Sequence, residues 1–262
     1  MRSADNKLFI YEKCQLVETI CQLRFPPLLA IDAREPADFQ DTVRERFPRY
    51  HCQTEPSNAP GKEPQSVRNY SFISEDGCYK LSLTKNFIAL STMRYSGWGN
   101  FAHTLDEPLG QCIRIYRPAY FERVGLRYVN GFSRKLLELE GRRWNDLFQP
   151  QYLSILDSDD VDEESVKKCS VDIERKLDGQ HFAVKLHAGP GMVQRTLRTP
   201  EGLRQVKEAE ARFIFDQDLY AAGNIQLSAV TDTLDRLHEH ADRIFSEAIT
   251  DVLHNAMDPV VS

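Results

Sequence analysis

The sequence predicts an α+β fold in which antiparallel sheets are backed by helices, and three observations carry this prediction. Short segments of alternating apolar and polar residues, typical of strands, are joined by turn signals that include Asp76-Gly77 and Asp178-Gly179. Amphipathic segments with apolar residues three or four positions apart follow these strands. The order of the predicted elements also repeats once along the chain, which indicates an internal duplication.

The first half, about residues 15–116, is predicted to contain a strand, a helix, a three-stranded meander and a second helix. Pro26-Pro27 ends the first strand, and Pro48 ends the first helix, because proline cannot continue either element. The strands are expected at about 16–25, 67–74, 78–84 and 87–93, the helices at 37–47 and 97–116, and a loop at 55–66.

The second half, about residues 120–257, repeats this order around a long helix from about Leu227 to Met257. Its strands are expected at 121–132, 166–177, 182–187 and 211–219, with a helical turn at 144–148 and a long basic loop at 189–207. We expect the two halves to bury two sheets against each other within one pseudo-symmetric domain that spans residues 1–262.

Composition narrows the classes of partner. The 262 residues are 41% hydrophobic and carry a net charge of -6, which argues against nucleic acid as the main partner, since phosphate binding needs clustered cations. No apolar run of membrane length or secretory leader is present, so we expect a cytoplasmic protein without a membrane partner. Six scattered cysteines lack zinc spacing, and no cofactor or metal is expected.

The strand Phe121–Phe132 supplies the strongest candidate site. Arg123 and Arg127 lie on one face of it across Gly125, about 13 Å apart at strand spacing, and Asp216 and Asp218 share one face of the last predicted strand. Two interpretations stay open: ion pairs across the sheets that fix register, or a clamp of two guanidiniums for a phosphate or other anion.

Other candidates for ligand or partner binding are weaker. Tyr95 and Trp98 bracket a glycine turn and are predicted either to anchor the core or to line a cavity. Asn130 of the central strand is a further candidate for binding a ligand or partner. The expected basic loop brings Arg195, Arg198 and Arg204, which are either ordinary surface charge or a grip for nucleic acid, a nucleotide or an acidic partner.

Several patterns argue against catalysis and metal binding. His238 and His240 are two residues apart, so on a helix they cannot share an ion, and we expect them on a solvated face. The acidic run 157–164 lacks an EF-hand pattern and is expected to be a solvated loop. No nucleophile, phosphate-loop or zinc-helix motif occurs, so no catalytic residue and no metal ligand is predicted.

Three parts of the chain resemble a sporadically distributed family of prokaryotic proteins whose function is uncharacterised. They are 123–130 (RVGLRYVN), 87–92 (FIALST) leading to Tyr95 and Trp98, and 215–218 (FDQD) before an amphipathic helix. The resemblance covers most of the chain. It implies accessory or mobile genes, such as toxin–antitoxin or phage-defence cassettes, and supplies no catalytic residues.

The sequence therefore favours a non-catalytic binding or interaction module over an enzyme. Its partner would be another protein, a second copy of the chain or a small anionic ligand, with the long C-terminal helix or the 189–207 segment in the contact. The alternative is an enzyme that acts on nucleotides or nucleic acid through the Arg/Asp strand cluster.

Overall fold

The computed structural model describes residues 9–57, 65–178, 181–199 and 202–261, and shows an α+β protein. The described strands are β1 Phe9–Tyr11, β2 Leu16–Arg24, β3 Arg49–Ser57, β4 Gln65–Ile73, β5 Tyr79–Thr84, β6 Phe87–Thr92, β7 Phe121–Phe132, β8 Val171–Lys176, β9 Phe182–Thr199, β10 Gly202–Ile225 and β11 Pro259–Val261. The described α-helices are α1 Leu29–Ala33, α2 Ala37–Val43, α3 Trp98–Tyr116, α4 Val230–Ala248 and α5 Asp251–Ala256. Short 3-10 turns include Trp144–Asp146 and Leu227–Ala229.

Among the described residues, nine strands form one sheet in the order β3-β4-β5-β6-β2-β7-β10-β9-β8. Every pairing in it is antiparallel, while β1 pairs with β11 in a separate two-stranded sheet. The expected packing of two sheets face to face is wrong. The halves join edge to edge instead, because β2 and β7 pair with each other along their backbones.

The strand order reads alike outwards from the β2–β7 pair. On one side lie β2, β6, β5 and β4, and on the other β7, β10, β9 and β8, each set followed by a long helix, α3 or α4. The order agrees with the repeat that the sequence predicts. Equivalence of the two halves in space stays a prediction.

One face of the sheet is covered by helices and the other is open over the second half. In β10 the residues Phe213, Phe215, Gln217, Leu219 and Ala221 are buried, while the alternate residues are partly exposed. Helix α4 packs against β7 and β10, and α3 against α2 and β6. Because side chains alternate along a strand, the face without helices carries Arg123 and Arg127 of β7, Lys185 of β9, and Asp216 and Asp218 of β10.

The core contains aromatic contacts in both halves. Phe148 is fully buried and stacks on Phe213 with ring centroids 4.1 Å apart, and it meets Phe132 edge-on at 5.2 Å. On the first-half side Phe39 from α2 contacts Phe72 of β4 at 5.5 Å. The apolar stripes of α3 and α4 that the sequence predicts are the faces buried against this core.

The predicted C-terminal helix is shorter than expected. Helix α4 ends at Ala248, and Ile249 is extended (φ −95°, ψ 152°) because it forms a β-bridge with Phe148. The Thr250 backbone N–H then donates to the Leu147 carbonyl at 2.9 Å, and α5 begins. The long continuous stripe that would need a partner is therefore divided, and both pieces contribute to the core.

Two predicted loops differ from the structure. The prediction of a basic loop at 189–207 is wrong, since β9 continues to Thr199 and β10 begins at Gly202. The loop at 55–66 is wrong at its described ends, where β3 runs to Ser57 and β4 begins at Gln65; its middle lies outside the described residues. Strand β3 as a whole is an element that the sequence did not indicate.

Candidate functional site

The structure brings together four of the predicted site residues on the open face. Arg123 and Arg127 come from β7, and Asp216 and Asp218 come from β10, its neighbour in the same sheet. The β7–β10 register places Asp218 opposite Arg127 and Asp216 opposite Val129. The predicted pairing of these charges is confirmed, although it joins adjacent strands and not two facing sheets.

Arg127 makes the stronger of the two ion pairs. Its Nε donates to Asp216 Oδ1 at 2.8 Å while Nη2 donates to Oδ2, so the guanidinium holds both carboxylate oxygens. The hydrogen bonds to Asp216 raise the pKa of Arg127 above its usual value. The pair connects positions that are not directly opposite, and it therefore spans the strands diagonally.

Arg123 folds over Gly125 and reaches Asp218. Its Nη2 donates to Asp218 Oδ1 at 2.6 Å, and its guanidinium carbon lies 4.8 Å from the centre of the Tyr220 ring. A Cβ atom on Gly125 would stand 2.2 Å from Arg123 Nη1. Glycine at position 125 thus leaves the space in which the guanidinium lies.

Beside these pairs the open face forms a shallow depression of about 440 Å³. It extends from Arg127, Asp216 and Asp218 to strands β9 and β8, and the sequence did not single out the residues that complete it. They are Asp172, Ile173 and Glu174 of β8 and Lys185, Leu186 and His187 of β9. The alternation of β8 was visible in the sequence, but the register that carries its acids to β10 was not.

The added residues extend the network of polar contacts. His187 Nδ1 lies 2.8 Å from Asp172 Oδ1, and this hydrogen bond is the main cause that lowers the pKa of Asp172. Tyr220 donates to Glu174 Oε1 at 2.9 Å, which raises the pKa of Tyr220, and Lys185 Nζ lies 3.5 Å from the same carboxylate oxygen. The face is therefore a lattice of paired charges spread over four strands.

The charge of the depression is acidic overall. Four carboxylates and two cations line it, and Arg123 beside it pairs with Asp218, so with His187 counted as neutral the site carries an excess of one negative charge. Arg127 is engaged by Asp216 and Lys185 by Glu174. An anion would have to displace these carboxylates, whereas a cationic group would meet an unbalanced negative field. The geometry thus favours a cationic partner over a phosphate.

The described residues offer no group of three or more His, Cys, Asp or Glu side chains that could hold a metal ion. The carboxylates of the depression are dispersed along strands, and Glu174, Asp216 and Asp218 are paired with cations. No helix among the described residues is long and apolar enough to cross a membrane.

Tyr95 and Trp98 lie elsewhere, on the helix-covered side of the sheet. The Trp98 ring stacks on His238 of α4 with centroids 4.9 Å apart, and its Nε1 donates to Asp235 Oδ1 at 2.9 Å. The Tyr95 hydroxyl lies 3.5 Å from that of Tyr128. The aromatic residues therefore join the start of α3 to α4, as core anchors do.

A chain of hydrogen bonds runs through this cluster. The Tyr128 hydroxyl lies 3.0 Å from His238 Nδ1, and His238 Nε2 lies 3.3 Å from Asp242 Oδ2. A neutral imidazole satisfies both contacts when it accepts from Tyr128 and donates to Asp242. Burial lowers the pKa of His238 to about 4 and raises that of Asp242 to about 6.

These shifts weaken the case for catalysis at the cluster. Burial also raises the pKa of Tyr128 and Tyr95, so neither phenol forms an anion near neutral pH, and a histidine with so low a pKa is a poor proton acceptor. We conclude that the chain of hydrogen bonds fixes α4 against β7. The expected solvated face for both histidines is wrong, because His240 is buried against Phe182 and His238 is largely covered.

The remaining predicted site residues lie outside the depression. Asn130 is buried, and its Nδ2 donates to the Phe215 carbonyl at 3.4 Å. Arg195, Arg198 and Arg204 occupy strand positions near the far ends of β9 and β10, and the structure describes their backbone only. They lie along the same two strands as the depression but several residues beyond it.

The acidic run is only partly solvated. Glu163 is largely buried, where its carboxylate accepts from Arg134 Nη1 at 2.9 Å and from the Trp144 backbone N–H at 2.6 Å. Arg134 also lies over the Trp144 ring at 4.2 Å. This part of the run therefore ties the connection after β7 to the core, while Asp159 remains exposed.

No family model matches the chain, and a search of curated proteins finds no match.

Proposed function

We propose that the protein is a non-catalytic binding module of the cytoplasm, and that its binding surface is the open, charged face of β7, β10, β9 and β8. The observation that carries the proposal is the acidic depression on this face, where both cations are already paired with carboxylates. The partner is a protein segment rich in lysine or arginine.

The shape of the surface supports a protein partner. The depression is shallow and lined by side chains from strands that are held in register by backbone pairing on both sides of β9 and β10. Small-molecule sites are usually enclosed and mostly apolar, whereas protein interfaces tolerate flat, charged rims. Charges on such a face select partners and steer their approach.

The alternatives have less support. A phosphate clamp would need free guanidinium donors, and those of Arg127 are directed at Asp216. An enzyme acting through the Arg/Asp cluster would need a general acid or base beside an enclosed substrate site. A partner encoded in the same accessory cassette, of the toxin–antitoxin or phage-defence type that the sequence resemblance implies, fits the module best.

The test is fluorescence anisotropy with three labelled probes: a Lys/Arg-rich peptide, an acidic peptide of equal length and a nucleotide. The variant Asp172→Asn/Glu174→Gln removes two charges from the depression. Its control, Asp106→Asn/Glu239→Gln, removes two from the exposed faces of α3 and α4. We expect the depression variant to weaken basic-peptide binding at least about tenfold, and the control to change it less than about twofold.

Equal losses in both variants would show a general attraction to an acidic protein and contradict the proposal. Nucleotide binding that disappears in Arg123→Ala would favour the anion clamp in its place.

A further inference from the structure

Strands β9 and β10 continue far beyond the sheet. Strand β7 pairs with β10 only between Phe213 and Ile225, and β8 pairs with β9 only between Ala183 and Ala188. Beyond these limits β9 and β10 pair only with each other, as far as the Thr199–Gly202 pair. The β9–β10 register shifts between Lys207 and Ala211, an interval that contains Glu208 and Glu210, and we call the segments beyond this shift, 194–199 and 202–207, the arm. At about 3.3 Å per residue it is roughly 20 Å long.

The arm is strongly basic. Its described positions include four cations, Arg195, Arg198, Arg204 and Lys207, and no acidic residue; Glu201 at the turn lies outside the described residues. The register puts Arg195 opposite Val206 and Arg204 opposite Leu197.

An arm of this kind is poorly stabilised on its own. A two-stranded hairpin is marginal in water, and both of its edges carry unpaired backbone groups. Among the described residues no third strand borders it. Contact with an acidic surface would supply the missing stabilisation, and the chain itself carries such a surface in the depression.

The arm cannot reach the depression of its own chain. Lys185 in the depression and Gln194 at the base of the arm are both on β9, nine residues apart, which is about 30 Å along the strand. While β9 and β10 stay paired, the arm leads away from the depression. A contact between an arm and a depression therefore requires two molecules.

We propose that the basic arm of one copy lies in the acidic depression of a second copy, and that two copies exchange arms in a symmetric dimer. This inference rests on the proposed function and names the cationic segment that the open face binds. We expect two-fold symmetry, because the same contact is then made twice and neither copy has an arm or a depression left to bind a third.

The first experiment measures the mass of the wild-type protein by light scattering across a range of concentrations. We expect a dimer whose dissociation constant rises at least about tenfold between roughly 50 mM and 500 mM NaCl, since salt screens the contact. Arg195→Gln/Arg204→Gln should be monomeric under the low-salt conditions. Its control, Lys135→Gln/Lys167→Gln, removes two exposed cations away from the arm and should remain dimeric.

Exchange of charges between the two surfaces gives the decisive result. Arg195→Glu/Arg204→Glu and Asp172→Lys/Glu174→Lys should each be monomeric alone, and their equimolar mixture should form a heterodimer with both contacts restored. Each variant must melt like the wild type; if the lysine variant does not fold, Asp172→Asn/Glu174→Gln replaces it and must be monomeric.

A wild type that is monomeric at every concentration would overturn the arm exchange, as would a dimer that survives both charge reversals. If that monomer still binds the basic peptide through the depression, the proposed function stands without the dimer. If it instead binds duplex DNA and loses this binding in Arg195→Gln/Arg204→Gln, the arm is a nucleic-acid contact. If the dimer forms as described but the peptide does not bind, the face serves the second copy alone.

Discussion

Removal of one partner from the Arg127–Asp216 pair should destabilise the protein unequally, depending on which partner is removed. The Asp216 side chain is 16% exposed, whereas that of Arg127 is 45% exposed. In Arg127→Met the more buried carboxylate loses both of its guanidinium hydrogen bonds and keeps its charge. In Asp216→Asn the charge that remains belongs to the arginine, which reaches solvent.

The stability lost when the Arg127–Asp216 pair is broken lies between the values for exposed and buried ion pairs. Exposed ion pairs couple by about 0.2–1 kcal/mol, and breaking a buried pair costs about 3–5 kcal/mol. For this half-exposed pair we expect Arg127→Met to lower the free energy of unfolding by about 2–3 kcal/mol and Asp216→Asn by about 1 kcal/mol. The double variant should fall short of the sum by about 1–2 kcal/mol.

Chemical denaturation of the four proteins measures these values, provided the denaturant slope stays constant. The pair Arg44–Asp41 on the surface, with side chains 66% and 67% exposed, is the matched control, and we expect it to couple by less than about 0.5 kcal/mol. Additive losses at Arg127 and Asp216, or a larger loss for Asp216→Asn than for Arg127→Met, would refute the reasoning.

Three further predictions concern the site and its supports. Gly125→Ala should lower the stability measured in thermal melts by about 1–2 kcal/mol, because its Cβ would displace the Arg123 guanidinium. Its control, Gly99→Ala, lies in a helix with open space around it and should raise stability by about 0.5–1 kcal/mol. A Gly125→Ala variant as stable as the wild type would contradict the packing. Burial depresses the pKa of His238 to about 4, so between about pH 4 and 6.5 the unfolded state binds more protons than the folded state. The free energy of unfolding should therefore rise with pH over that window by roughly 2–3 kcal/mol, and urea titrations of His238→Gln should show a flatter profile. Phe148→Ala should cost about 3–5 kcal/mol, since the side chain is fully buried among aromatic rings, and a loss below about 1 kcal/mol would contradict the assigned core.

The raised pKa of Asp242 acts in the opposite direction on the pH profile. An acid whose folded pKa is raised contributes stability that is present below its unfolded pKa and is lost as pH rises towards the folded value. The Asp242 side chain is 42% exposed, so solvent reduces this contribution and His238 dominates. Asp242→Asn should therefore steepen the rise of stability with pH, and a profile that flattens in this variant would reverse the assignment.

The sequence predicts the local elements of this fold well where one period dominates. Strand β7 alternates Arg123, Gly125 and Arg127 against Val124 and Leu126, and the structure keeps that alternation as an open and a buried face. The face-sharing of Asp216 and Asp218 likewise follows from period two. Both arginines and both aspartates could thus be paired from the sequence, since arginine that is partly buried is normally paired, but the sequence placed the pairs between two facing sheets and not on neighbouring strands.

The extension of β9 and β10 was not predicted because Gly189, Pro190 and Gly191, together with Thr199-Pro200 and Gly202, resemble turn signals in the sequence. Gly189 has φ 155°, and a Cβ there would stand 2.4 Å from the Cys169 carbonyl oxygen. This glycine therefore marks a close approach of two backbone segments within continuous strand pairing. Strand β3 was missed for a related reason, since its polar residues and Pro56 resemble a loop.

The other residues of the depression could not be found from the sequence. Asp172 and Glu174 reach the site through two successive pairings, β8 with β9 and β9 with β10. Each register is set by packing of the buried face, and a shift of one residue would turn every charge inwards. The break in the C-terminal helix was equally hidden, because it depends on the bridge between Ile249 and the distant Phe148.

Mapping of backbone amide chemical shifts during titration with the Lys/Arg-rich peptide tests the central claim most directly. We predict that the largest changes fall on the depression, at 172–174, 185–187 and 216–218, and at Arg127, while the amides of α3 and α4 change little. Largest changes at Tyr95, Trp98 and the α4 residues around His238, or small changes spread evenly over the whole surface, would contradict the open face as the binding surface.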